Sequence, residues 1–169
     1  MKTLRLALAL TAALALSACS RADVGPDLEA SKKQAEAFIA KTAAEEGVQR
    51  LPSGVLYKVV RSGPEGGMKP QLTDEVKVHY EGKFPDGKVF DSSYERGVPA
   101  SMPLRGLIPA WQEALQQMRP GDEWILYVPP EHGYGEEGAG GGEIPPNAVL
   151  IFRIELLGVL PGPGRVLQG

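Results

Sequence analysis

The chain has 169 residues, 43% of them hydrophobic and 23% charged, with a formal net charge of −3, 21 glycines and 15 prolines. That length suits one domain with appendages, and the turn-forming composition suits a β-rich one. No long basic run is present, so no nucleic-acid partner is expected; two histidines and one cysteine are too few for a zinc site, and neither metal nor cofactor is expected.

Residues 1–18 read as a signal peptide. Lys2 and Arg5 supply a positive start and Leu6 to Leu16 an apolar core too short to span a bilayer. The core ends in Leu16-Ser17-Ala18-Cys19, which resembles a bacterial lipobox, with Cys19 as the acylated first residue of the mature protein. The alternative is an ordinary cleavage site followed by a spare cysteine; the lone cysteine standing where a lipobox requires it favours lipidation. Ser20 in place of an aspartate is similar to outer-membrane lipoproteins of Gram-negative bacteria. The expected location is therefore the cell envelope, lipid-anchored and facing the periplasm, at the outer membrane.

Residues 19–26 form a tether, and 27–47 read as an alanine-rich helix stopped by Gly47. Its apolar stripe is thin: Leu28, Ala35, Phe38, Ile39 and Ala43. A spacer helix resting on the next domain, in a monomer, is favoured over a dimerisation arm, which stays as the alternative. A first strand is expected from Leu51 to Val60, around Pro52-Ser53-Gly54, with Val55, Tyr57 and Val59 on one face.

Val76, Val78 and Tyr80 alternate with Lys77, His79 and Glu81, the period of a half-buried strand. Pro85-Asp86-Gly87 supplies turn chemistry, and the chain returns through Lys88 to Asp91 as a hairpin. Phe90 and Asp91 are adjacent, so a regular strand would send them to opposite faces. For both to serve one surface, the chain must bulge there.

Residues 95–105 carry no clear period. Pro109 opens a short helix in which Trp111, Ala114, Leu115 and Met118 share one face. Trp124, Leu126 and Val128 alternate along a further strand, a glycine-rich loop runs from Glu131 to Gly142, and Leu150, Phe152, Ile154 and Leu156 alternate along the last strand. The tail, 161–169, is expected to be mobile. Four to five antiparallel strands and one amphipathic helix make an α+β fold: a twisted antiparallel sheet wrapped around a short helix, preceded by an N-terminal helix.

Four stretches in this order, VHYEGKFPDGKVFDSS, LIPAWQEALQQMRPGD, GYG and IPPNAVLIFRIELL, closely resemble the FKBP-type peptidyl-prolyl isomerases, and among them the bacterial envelope branch related to the macrophage infectivity potentiator. The resemblance covers a domain over 51–160. It implies a shallow apolar pocket for a proline ring, with Trp111 as floor and Tyr80, Phe90 and Phe152 as walls. Leu107 and Ile108 enter from the segment before the helix. The Ile108 N–H and the Tyr134 phenol are implied to hydrogen-bond the substrate. Ile144 belongs to an overhanging loop, Asp91 sits at the rim, and Arg96 is expected to hold it. For any single aromatic, ordinary core packing is the competing reading; the joint pattern marks a site.

The implied activity is cis-trans isomerisation of X–Pro bonds during folding of envelope proteins. The partners are proline-containing polypeptides, with macrolides as an inhibitor class. The alternative is a chaperone or peptide-binding module using the same pocket, with catalysis incidental. Departures from the family pattern are Ala100 and Met102 where aromatics are common, Ala110 for a glycine, His132 for a tyrosine, and a glycine-rich, slightly long overhang from Glu136 to Glu143. Met102 softens one wall of the substrate site.

Overall fold

The computed structural model describes residues 28–165. The signal peptide, Cys19, the tether and residues 166–169 lie outside the described residues.

Helix α1 spans Leu28–Thr42, ending before the expected stop. Beyond it the turns tighten, Ala44 N–H donating to the Lys41 carbonyl and Glu45 N–H to that of Thr42. Gly47, at φ +78°, redirects the chain into the sheet instead of capping the helix. Ala35 is buried while Phe38, Ile39 and Ala43 are half-buried; Leu28, expected on the packed stripe, is exposed.

Among the described residues the sheet has seven strands, against the four to five expected. They are β1 Val48–Arg50, β2 Leu56–Arg61, β3 Glu75–Lys83, β4 Val89–Ser92, β5 Ala100–Pro103, β6 Glu123–Val128 and β7 Leu150–Leu160. Their order is β1-β2-β6-β7-β3-β4, with β5 also paired to β3, and every pairing is antiparallel. The expected first strand is in fact a hairpin: Leu51 to Gly54 turn the chain so that Arg50 pairs with Leu56. The segment expected to lack a period contains β5 and a 3-10 turn, Leu104–Gly106.

Helix α2, Pro109–Leu115, starts with the proline at its first position, where no N–H is needed. Trp111, Ala114, Leu115 and Met118 are all buried. They pack in one core with Val76, Val78 and Tyr80 of β3, Leu126 and Val128 of β6, and the alternating Leu150, Phe152, Ile154 and Leu156 of β7. Each such large side chain contributes about 1.5–3 kcal/mol by leaving water.

The described part of the tail, 161–165, makes defined contacts. Buried Asp74 accepts hydrogen bonds from the backbone N–H of Gly162 (2.9 Å) and Gln71 (2.8 Å) and pairs with Arg165. The segment 161–165 is thereby tied to the loop before β3.

Candidate functional site

The site is built outward from Tyr80. Alternation along β3 turns its ring into the core, where it is 9% exposed. Its backbone is fixed by Ser93: the Tyr80 N–H donates to Ser93 Oγ at 2.8 Å, and the Ser93 N–H donates to the Tyr80 carbonyl at 2.9 Å. Opposite lies β4. Gly82 pairs with Asp91, but Lys83 pairs with Val89, leaving Phe90 as the extra residue of a bulge. The bulge brings Phe90 and Asp91 to the same pocket, as their adjacency requires.

Four aromatic rings of this pocket are stacked edge to face. Tyr80 meets Trp111 at 5.3 Å and 82°, Trp111 meets Phe152 at 5.2 Å and 90°, and Phe152 meets Phe90 at 5.7 Å and 90°. Such pairs add about 0.5–1.5 kcal/mol each beyond burial and fix the rings against one another. They line an open pocket of about 210 Å³ together with Asp91, Met102, Gly106, Leu107, Ile108 and Tyr134. The indole N–H of Trp111 is buried and, among the described residues, has no hydrogen-bond partner; orphaned polar groups of this kind are tolerated mainly where a site demands them.

Ile144 is the one expected substrate-binding residue that does not line this pocket. It is buried in the wall of an adjoining cleft of about 350 Å³, which shares Phe90, Asp91 and Tyr134 with the pocket and adds Ala139, Gly140 and Glu143. Paired backbone hydrogen bonds between Ala139 and Ile144, both 3.0 Å, close the overhang on itself. Among the departures, Ala110 is buried in the core and His132 Nε2 lies 3.1 Å from the Ser53 carbonyl.

The polar rim is a three-residue set. The Tyr80 hydroxyl donates to the Asp91 carboxylate, Arg96 donates to the same carboxylate, and Arg96 also donates to the Tyr80 oxygen at 2.9 Å. The guanidinium carbon stands 5.5 Å from the Tyr80 ring centre. Partial burial, the largest influence on Asp91, pushes its pKa up; the bonds from Tyr80 and Arg96 and the guanidinium charge outweigh it and hold the carboxyl below its ordinary value. Burial, and then Asp91, raise Tyr80 and Tyr134. At neutral pH the rim therefore holds a carboxylate and two protonated phenols.

Two donors flank the pocket unengaged. Neither the N–H of Ile108 nor the hydroxyl of Tyr134 has an acceptor among the described residues, and Tyr134 is 39% exposed. An extended Ile108, φ −60° and ψ 151°, is what a following proline imposes.

Sequence reasoning missed three contributors. Gly106 lines the pocket, Ser93 anchors Tyr80, and Gly82 leaves room for two of the rings. A glycine inside a strand pattern is the signal for the last, since it marks close approach of another group.

A family model described as FKBP-type peptidyl-prolyl cis-trans isomerase matches residues 66–157, and one for the domain amino-terminal to such isomerases matches 9–59. The chain belongs to the FKBP-type peptidyl-prolyl cis-trans isomerase family. It is 48% identical over 127 residues to the peptidyl-prolyl cis-trans isomerase Mip of Coxiella burnetii, covering 75% of this chain and 54% of that protein. Among solved structures, FkpA of Escherichia coli matches with TM-score 0.75 and 42% identity over 81% of this chain and 62% of that one. A peptidyl-prolyl cis-trans isomerase of Pseudomonas syringae matches with TM-score 0.73 and 39% identity over 79% and 96%. The chain spans about half the length of the curated relatives it matches.

Proposed function

We propose that the chain is a peptidyl-prolyl cis-trans isomerase acting on proline-containing polypeptides. The observation that carries this reading is the aromatic pocket with a free donor on each side, Ile108 N–H and Tyr134 hydroxyl, in a chain of this family. The proline ring enters over Trp111, and the two donors take carbonyls of the chain on either side of it.

The barrier to rotation about an X–Pro bond, roughly 18–20 kcal/mol, reflects lost amide resonance. At the twisted transition state the amide is less dipolar than in the planar ground state. A dry wall of Tyr80, Phe90, Trp111 and Phe152 disfavours the planar form more than the twisted one, so it lowers the barrier without covalent chemistry. Each tenfold in rate needs about 1.4 kcal/mol. Asp91, held by Tyr80 and Arg96, keeps the polar edge of the pocket in place.

The test is exchange of a Leu-Pro peptide, followed by NMR or by a protease-coupled assay. Acceleration by the wild type that Trp111→Ala removes supports the reading; no acceleration by folded wild-type protein defeats it.

The same reading puts the protein in the cell envelope, anchored through acylated Cys19 at the outer membrane and facing the periplasm. A monomer is favoured over a dimer, because the apolar stripe of α1 around the half-buried Phe38 and Ile39 is narrow. Macrolides that mimic a prolyl amide are the expected inhibitors. Cys19→Ala should leave the membrane fraction and take up no labelled fatty acid, since acyl chains supply the membrane affinity. Unchanged fractionation would end the lipid-anchor reading.

A further inference from the structure

The cleft beside the pocket is continuous with it, because Phe90, Asp91 and Tyr134 line both. Its far wall is the overhanging loop, ending in Glu143 and Ile144. Residues 135–143 read GEEGAGGGE: three carboxylates and no base. Gly140, Gly141 and Gly142 all have positive φ, between 64° and 107°. The chain doubles back through them, so that a Cβ on Gly140 would sit 3.0 Å from Glu143 Oε2. The Glu143 carboxylate thus lies over the backbone that lines the cleft.

The two carboxylates of this cleft are in different situations. Asp91 is engaged by Arg96 and Tyr80. The Glu143 side chain has no hydrogen bond or ion pair among the described residues. Among the described residues, neither Lys nor Arg lines the pocket or the cleft. The cleft therefore joins an apolar stretch, Phe90 and Ile144, to one uncompensated negative charge. That combination suits a long aliphatic stem ending in a cation.

We propose that this cleft is a flanking subsite that receives a lysine or arginine side chain beside the substrate proline, with Glu143 as the specificity residue. The inference rests on the prolyl-isomerase reading above. It names the side chains that the cleft favours over neutral or acidic ones of similar length: a lysine or arginine next to the proline.

The test uses the full chain and two peptide series. One varies the residue before the proline among lysine, norleucine and glutamate, and the other varies the residue after it. An exposed ion pair of this kind is worth a few-fold. In at least one series the wild type should favour lysine over norleucine, and norleucine over glutamate, in kcat/KM. Glu143→Gln should shrink the lysine-to-norleucine ratio about threefold, and about 0.5 M salt should shrink it in the wild type by screening. Glu65→Gln, which removes the same charge from a loop outside the cleft, should leave the ratio alone. Equal ratios in wild type and Glu143→Gln across both series overturn the inference while the isomerase reading stands. Failure of folded wild type to turn over any norleucine peptide overturns that reading, and this inference with it.

Discussion

Phe90 packs against the bare backbone of Gly82. A Cβ at Gly82 would come within 2.6 Å of Phe90 Cζ and 2.8 Å of Phe152 Cε1. The bulge that frees Phe90 from the strand's alternation therefore works only because the strand opposite has no side chain at that point. Gly82→Ala must push two pocket walls at once. Overpacking of this kind costs about 1–3 kcal/mol in stability, and misplaced walls should lower kcat/KM on a Leu-Pro peptide about tenfold or more. Thermal melting and the exchange assay on the same preparation check both. An unaltered rate in a folded Gly82→Ala protein would mean that the rings do not need their present positions.

Phe90 and Tyr57 separate a pocket wall from ordinary packing. Tyr57 stacks on Trp124 at 4.4 Å and 16°, and its hydroxyl donates to Gln49 at 2.9 Å, on the β1–β2–β6 side of the sheet. Phe90 is half-buried, with one side open to the pocket. Phe90→Ala should cut kcat/KM by an order of magnitude or so while lowering Tm little, because few neighbours lose contacts on the open side. Tyr57→Ala should do the reverse. Parallel losses of activity in both variants, each in proportion to lost folded protein, would make Phe90 a core residue.

The parts of this fold that were legible in the sequence are those whose side chains face a core on one side and water on the other. Val76 to Tyr80, Trp124 to Val128 and Leu150 to Leu156 alternate because each strand has neighbours on both edges and one covered face. Val48–Arg50 and Ala100–Pro103 were not legible. They are three and four residues long, each pairs with a single strand, and all of their residues are exposed or half-buried, so no buried face marks them. The bulge at Phe90 was foreseeable because two adjacent residues had to serve one surface. The pocket itself was readable only through the family resemblance. Its walls come from β3, β4, β5, β7, the start of α2 and a loop, and no local pattern announces that such distant residues meet. Glu143 follows the glycine-rich loop and carries no periodic or motif signal of its own.

The rim predicts a flat pH profile with a defined acid edge. Asp91 is held below its ordinary value, so its ionised form, with the bonds from Tyr80 and Arg96, is fully populated above the ordinary carboxylate range. That contribution disappears only as pH falls through the lowered value. Tyr80 and Tyr134 are raised, so both phenols stay protonated until strongly alkaline pH. kcat/KM measured by NMR exchange, which needs no protease, should be constant from about pH 5 to about pH 9. A transition near pH 6–7 would point to a group other than these three. Asp91→Asn should remove the acid edge while leaving the alkaline side in place.

Asp74 lies on the loop before β3, in contact with the tail and outside the pocket lining. Its carboxylate is buried and takes bonds from Gly162, Gln71 and Arg165. Gly162 approaches so closely that a Cβ there would stand 2.0 Å from the Thr73 carbonyl oxygen. Ending the chain after Leu160 would strip the carboxylate of the Gly162 and Arg165 partners while keeping the sheet. A buried acceptor left short of donors costs about 1–3 kcal/mol, more when it is charged. The truncated protein should therefore melt several degrees lower, a loss that Asp74→Asn in the full chain should partly reproduce by weakening the Arg165 pair. Neither change touches Tyr80, Phe90, Trp111 or Phe152, so kcat/KM per folded molecule should match the wild type at a temperature where both are folded. Truncated protein with wild-type Tm would show that the tail lies on the domain without holding it, and a lowered kcat/KM in the folded state would tie the loop before β3 to the pocket.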